Sequence, residues 1–217
     1  MTTVLLVRHG LTALTGPILS GWTPGLHLDD RGRAQVASLG ERMRGVPLAA
    51  VVTSPLERCR ETAEAVLAGR EPTPPLHVDE RLGEVHYGSW TGRPFKDLTK
   101  DPLWRVVQSH PSAVVFPEGE GLAAMAARAI EAVRDWNVRL GPDATYAVVS
   151  HADVIKALIA DALGLHLDSY QRIMVDPASL TVIQYAALRP FVIRVNDTGG
   201  GVEALIPKPR SRRRRGR

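Results

Sequence analysis

Residues 2–11 read "TTVLLVRHGL", and the fold is decided by where the apolar run in this stretch stops. Val4, Leu5, Leu6 and Val7 form an unbroken apolar stretch, the pattern of a strand covered on both faces rather than one alternating toward water. The run ends abruptly in Arg8, His9 and Gly10: a cation, a titratable imidazole and the most permissive backbone residue. In open α/β sheets, ligands gather just beyond the carboxyl ends of the strands, so Arg8 and His9 are expected at a site.

The same design returns at residues 145–164, "TYAVVSHADVIKALIADALG": a buried strand over Tyr146–Val149, a histidine at 151, then a helix stopped by Gly164. A third buried strand, in "LAAVVTS" (48–54), runs into "SPLERCRETAEAVLAG" (54–69). There Ser54 reads as an N-cap, Pro55 as the first helical residue and Gly69 as the stop signal, which puts Arg58 in the first helical turn. Between these units, Asp29 or Asp30 caps a helix to about Arg44 with Val36, Leu39 and Met43 on one face. Leu122, Met125, Ala129, Val133, Trp136 and Leu140 mark another helix, closed by Gly141-Pro142. A short strand is expected at Leu76–Val78, and "SLTVIQYA" and "FVIRVN" read as two late strands paired through "ALRP". Strands alternating with helices specify an α/β class with a mostly parallel central sheet.

Of the 217 residues, 44% are hydrophobic and 23% charged, ordinary values that exclude fibrous and wholly disordered classes. The net charge of +4 is misleading. "KPRSRRRRGR" (208–217) carries seven Lys or Arg and no acid, leaving 20 basic and 23 acidic groups in residues 1–207, a net of −3. One domain over 1–206 is expected, followed by a basic, disordered tail over 207–217; the sharper alternative for the tail is a weak anion-binding arm for nucleic acid or an acidic partner. Cys59 is the single cysteine, which rules out an intramolecular disulfide and multi-cysteine metal sites. With no apolar stretch of membrane-spanning length, a soluble cytoplasmic protein is expected.

Strand ends of a parallel sheet point the same way, so His9, His151 and Arg58 can converge although they are distant in sequence. With Arg8 they make two guanidiniums and two imidazoles beside helix N-termini near Ser54 and Ala152. Singly, each such residue is more often structural. Together they would repel one another without an anion among them, and guanidinium forks and helix N-termini both suit phosphate.

"VRHGLT" (7–12), "SPLERCRETA" (54–63), "EVHYGSWTGR" (84–93) and "VVSHADVIKAL" (148–158) together resemble the histidine phosphatase superfamily, the phosphoglycerate mutase-like fold. The resemblance spans residues 3 to about 186. It implies a three-layer α/β/α sandwich and a reaction through a phosphohistidine on His9. Arg8, Arg58 and His151 match the family's phosphate pocket and Glu84 its proton donor, with no metal or cofactor required. Under this reading a neutral His9 attacks phosphorus, a protonated His151 and the arginines hold the equatorial oxygens, and Gly10 is small so that its backbone can approach the phosphate.

The chain departs from the family's common patterns where Thr15 replaces a phosphate-contacting Asn, and where "HADVIK" puts Ala152 at a backbone-donor position and introduces Asp153. The 100° step between helical residues is expected to turn Asp153 away from the phosphate. Trp22, His86, Tyr87, Trp90 and Arg93 are expected at the pocket mouth, with Lys96 and Phe116 as further candidates. The short insertion after "GSWTG", in which the paired arginines of mutases cannot be aligned with Arg93, Lys96 or Arg105, favours hydrolysis of a small phosphorylated metabolite over a phosphomutase. A third reading is a weakly catalytic phosphate-binding protein docked to nucleic acid by its tail.

Overall fold

The computed structural model describes residues 1–200. The tail expected at 207–217 lies outside the described residues. Strand β1 (Thr2–Arg8) sits inside a six-stranded sheet, where it pairs in parallel with β4 (Thr145–Ser150) and antiparallel with β5 (Leu180–Tyr185). Short strands β2 (Val51–Thr53) and β3 (Leu76–Val78) extend the parallel side, and β6 (Pro190–Asp197) pairs antiparallel with β5. The strand order is β3-β2-β4-β1-β5-β6. Only β5 runs against the other strands, so the sheet is mostly parallel, as the alternation of strands and helices requires.

Both faces are covered, which is why the strands read as continuous apolar runs. Val4, Leu6, Val52, Tyr146 and Val148 share one core with Met125, Ala129 and Val133 of α5 (Leu122–Leu140) and Ile155 and Leu158 of α6 (Ala152–Ala162). Leu5, Val7, Val51, Ala147 and Val149 share the other with Val36, Leu39 and Met43 of α1 (Asp30–Met43) and Ala63 and Val66 of α2 (Glu57–Leu67). The two-residue period of each strand thus sorts its side chains into two cores, and the domain is a three-layer sandwich. Among the described residues, no helix is long and apolar enough to cross a membrane.

Local chemistry sets the helix starts. Asp29 accepts from Gly32 N–H and caps α1 as its sequence predicts. Helix α2 begins at Glu57, later than Ser54-Pro55 suggests, while the Ser54 hydroxyl accepts from Leu56 N–H at 3.3 Å and also bonds His151 Nε2. Two short helices escape the periodicity reading, α3 (Phe95–Leu98) and α4 (Pro102–Ser109), although Asp101 caps α4 and Pro102 opens it.

Helices α1 and α2 approach so closely at Gly40 that an added Cβ would lie 2.4 Å from the Ala65 carbonyl oxygen. Helix propensity alone would make Gly40→Ala stabilising by about 1 kcal/mol. The backbone contact should reverse that sign, with a loss of roughly 1–3 kcal/mol in chemical denaturation.

Candidate active site

Sheet register brings the site together. Arg8 pairs with Ser150, so the residues that follow them, His9 and His151, leave adjacent strands side by side; His9 N–H donates to Ser150 O at 3.1 Å and the ring centroids are 5.2 Å apart. Thr53 pairs with Val149, and Ser54 N–H donates to Val149 O, which delivers the start of α2 to the same edge. Arg58, on the first turn of that helix, is 0% exposed and lies against both imidazoles.

The hydrogen bonds assign both tautomers. His9 Nδ1–H donates to Gly10 O at 2.7 Å, and Nε2 accepts from Arg58 Nε–H at 3.3 Å, so Nε2 carries the lone pair. Arg58 Nη2–H donates to Gly21 O at 2.8 Å and to His151 Nδ1 at 3.3 Å, leaving His151 Nε2–H to donate to Ser54 Oγ at 2.8 Å. Burial, reinforced by Arg58 and Arg8, holds His9 well below the usual imidazole range. Burial and the charges of Arg58, His9 and Arg8 do the same to His151. Too little water and too much positive charge surround its ring.

Two buried guanidinium nitrogens, Arg8 Nε and Arg58 Nη1, have no hydrogen-bond partner. Arg8 is anchored by Nη1–H donating to Val175 O at 2.7 Å. Such orphan donors are costly when buried, and phosphoryl oxygens would satisfy them. Thr15 and Ala152, the latter at the start of α6, line the cavity with Arg8 and His9. The Thr15 hydroxyl accepts from Thr12 N–H at 3.0 Å and lies 2.9 Å from the Thr12 hydroxyl.

Glu84 also lines the cavity; its Oε1 accepts from Val85 N–H at 3.0 Å, and its Oε2 lies 3.7 Å from His151 Nδ1. Burial and the nearby Asp153 push the Glu84 carboxyl up to about 7 against the opposing pull of Arg58. Its backbone carbonyl is held by Trp22 Nε1–H at 2.6 Å and Arg128 Nη2–H at 2.9 Å. Trp22 is thus a support for the Glu84 loop, with His86 stacked on it at 4.3 Å, and neither lines the cavity.

The expected mouth divides further. Tyr87, Trp90 and Phe116 line the cavity, whereas Arg93, 3.9 Å from an Asp101 oxygen, and Lys96 do not. Asp153 is not turned away: helical side chains lean toward the N-terminus, and its carboxylate reaches the cavity wall, accepting from Tyr87 O–H at 2.8 Å and from Lys156 Nζ at 3.5 Å. Gly10 is also required by packing, since a Cβ there would lie 2.8 Å from both Gly32 O and Val36 Cγ1 of α1. Arg128, Trp104, Val107 and Lys156 are site or support residues that the sequence did not single out; their roles depend on contacts between distant segments.

A family model described as the histidine phosphatase superfamily (branch 1) matches residues 4–198. The chain belongs to this superfamily. It is similar to the "Bifunctional protein Rv2228c" of Mycobacterium tuberculosis, 33% identical over 201 residues covering 91% of this chain and 54% of that protein. It is also similar to the adenosylcobalamin/alpha-ribazole phosphatase of Salmonella typhimurium, 32% identical over 169 residues, 74% of this chain and 79% of that one. Among solved structures, Bacillus stearothermophilus YhfR superposes with a TM-score of 0.84 at 32% identity, covering 91% of this chain and 98% of that one. The chain spans about half the length of the first curated relatives it matches.

The raised Glu84 carboxyl makes a stability prediction with a defined sign. Between the ordinary 4.5 and about 7 the folded chain binds more protons at Glu84 than the unfolded chain does, so this group costs stability as pH rises through that window. Glu84→Gln should gain on wild type by on the order of 2–4 kcal/mol between pH 4.5 and 8. Urea melts of both proteins across that range test it.

Proposed function

We propose that this chain is a metal-independent phosphomonoesterase that works through a phosphohistidine on His9. The observation that carries the reading is the His9 imidazole itself: buried, kept neutral, its Nδ1–H engaged by Gly10 O and its Nε2 lone pair directed at Arg58. A neutral, oriented imidazole beside orphan guanidinium donors is what attack on phosphorus needs.

When a phosphoryl group enters, its oxygens accept from Arg8 Nε and Arg58 Nη1, and Arg58 Nε–H exchanges His9 Nε2 for a phosphoryl oxygen. That exchange frees the nucleophile. The dianion also raises the proton affinity of His151, which can then donate to an equatorial oxygen. Nε2 attacks in line, the P–O bond to the leaving group breaks, and protonated Glu84 donates to the departing alkoxide. The resulting Glu84 carboxylate then takes a proton from water as it attacks the phosphohistidine, releasing phosphate and restoring both groups. A carboxyl near 7 suits both halves of the cycle.

The alternative of a phosphomutase receives less support, because Arg93 and Lys96 lie outside the cavity that would have to hold a phosphorylated acid in two orientations.

Rapid quench with labelled phosphate ester in EDTA should trap acid-labile label on His9, and His9→Ala should lower kcat by at least about 10³-fold while melting normally. Acid-stable label on a hydroxyl residue would contradict the mechanism. Glu84→Gln should slow an alkyl phosphate by about 10²–10⁴-fold and p-nitrophenyl phosphate much less, since the latter leaving group needs little protonation.

A further inference from the structure

The cavity continues past the phosphate-binding end for a total of about 250 Å³. One wall of this extension is apolar: Leu19, Trp90, Phe95, Trp104, Val107 and Phe116. Trp90 is the centre of an aromatic group, with the Trp104 ring at 6.3 Å and the Phe116 ring at 5.3 Å, while Phe95 stands edge-on to Trp104 at 6.1 Å. These side chains arrive from α3, α4 and the loops beside them, so short helices whose Leu98 and Val107 also enter the core contribute to the lining of the site.

The charges on the lining decide what the extension can hold. Besides Arg8, which belongs to the phosphate end, Lys156 is the one cation among the described lining residues. It is already engaged: Nζ donates to Asp153 Oδ1 at 3.5 Å and to Gln171 Oε1 at 3.1 Å, and it lies 5.5 Å from the Tyr170 ring centroid. Asp153 balances its charge, and Glu84 also lines the cavity. A substrate carboxylate placed here would lose its water, meet Asp153, and find no uncommitted cation. An apolar group would instead displace water from aromatic and aliphatic surface.

Taking the phosphatase reading as given, we infer that the substrate class is the phosphate monoester of an uncharged alcohol bearing a hydrophobic, aryl-sized group, and that phosphorylated carboxylic acids are poor substrates. The Trp104 and Val107 side chains provide the selectivity, and the Asp153–Lys156–Gln171 network leaves the cation of the lining already paired.

The test uses the full chain and esters of primary alcohols, so that leaving-group chemistry stays nearly constant: ethyl phosphate, 2-phenylethyl phosphate, 3-phosphoglycerate and phosphoserine. The expected kcat/KM for 2-phenylethyl phosphate exceeds that for each of the others by at least about tenfold. In Trp104→Leu, and in the milder Val107→Ala should the first fail to fold, the ratio of 2-phenylethyl to ethyl phosphate should narrow several-fold, mainly through KM. Turnover of 3-phosphoglycerate or phosphoserine equal to or above that of 2-phenylethyl phosphate overturns the inference while leaving the phosphatase reading intact. Release of phosphate from none of the four, with no label on His9, overturns the phosphatase reading and this inference with it.

Discussion

A single buried guanidinium organises this site. Arg58 has no solvent exposure, yet it touches the nucleophile candidate through Nε, the second imidazole and the Gly21 carbonyl through Nη2, and no partner at all through Nη1. Burying a cation without compensation is expensive, and the surroundings answer with neutral acceptors rather than a close carboxylate. The consequence is twofold. Burial together with this charge disfavours a second proton on both histidines, and the Nη1 group is left without a partner in the protein.

Everything around Arg58 serves its placement. The parallel register of β1, β4 and β2 puts His9, His151 and Ser54 on one edge of the sheet, and the Ser54 hydroxyl accepts both from His151 Nε2–H and from Leu56 N–H ahead of α2. Trp22 and Arg128 both grip the Glu84 carbonyl, with Arg128 also donating to Arg81 O and Gly83 O and pairing with Glu120. The acid is therefore held from two sides by groups that make no contact with the reacting atoms. This is how a loop residue acquires the positional definition that catalysis demands.

The part of this arrangement that can be read from sequence is the part carried by short-range rules. Continuous apolar runs ending in His9 and His151 identify covered strands and their carboxyl ends, and Asp29 and Gly141 mark helix ends by cap chemistry. The cavity wall is not readable in this way. Trp22 and Trp90 look alike in a Gly-rich loop, yet one props up the Glu84 carbonyl and the other lines the cavity. Asp153 looks misdirected by helical angle alone until Tyr87 and Lys156 draw its carboxylate to the wall. In each case a contact between distant segments outweighs the local preference.

The account rests on His9 being a neutral imidazole with its proton on Nδ1. Long-range proton–nitrogen correlation spectra of the histidine-labelled full chain, taken near pH 6, below the ordinary imidazole value of 6.5, report that state directly. The prediction is a neutral His9 signal, assigned by its loss in His9→Ala, with Nδ1 protonated and Nε2 bare. An imidazolium, or the proton on Nε2, would contradict it.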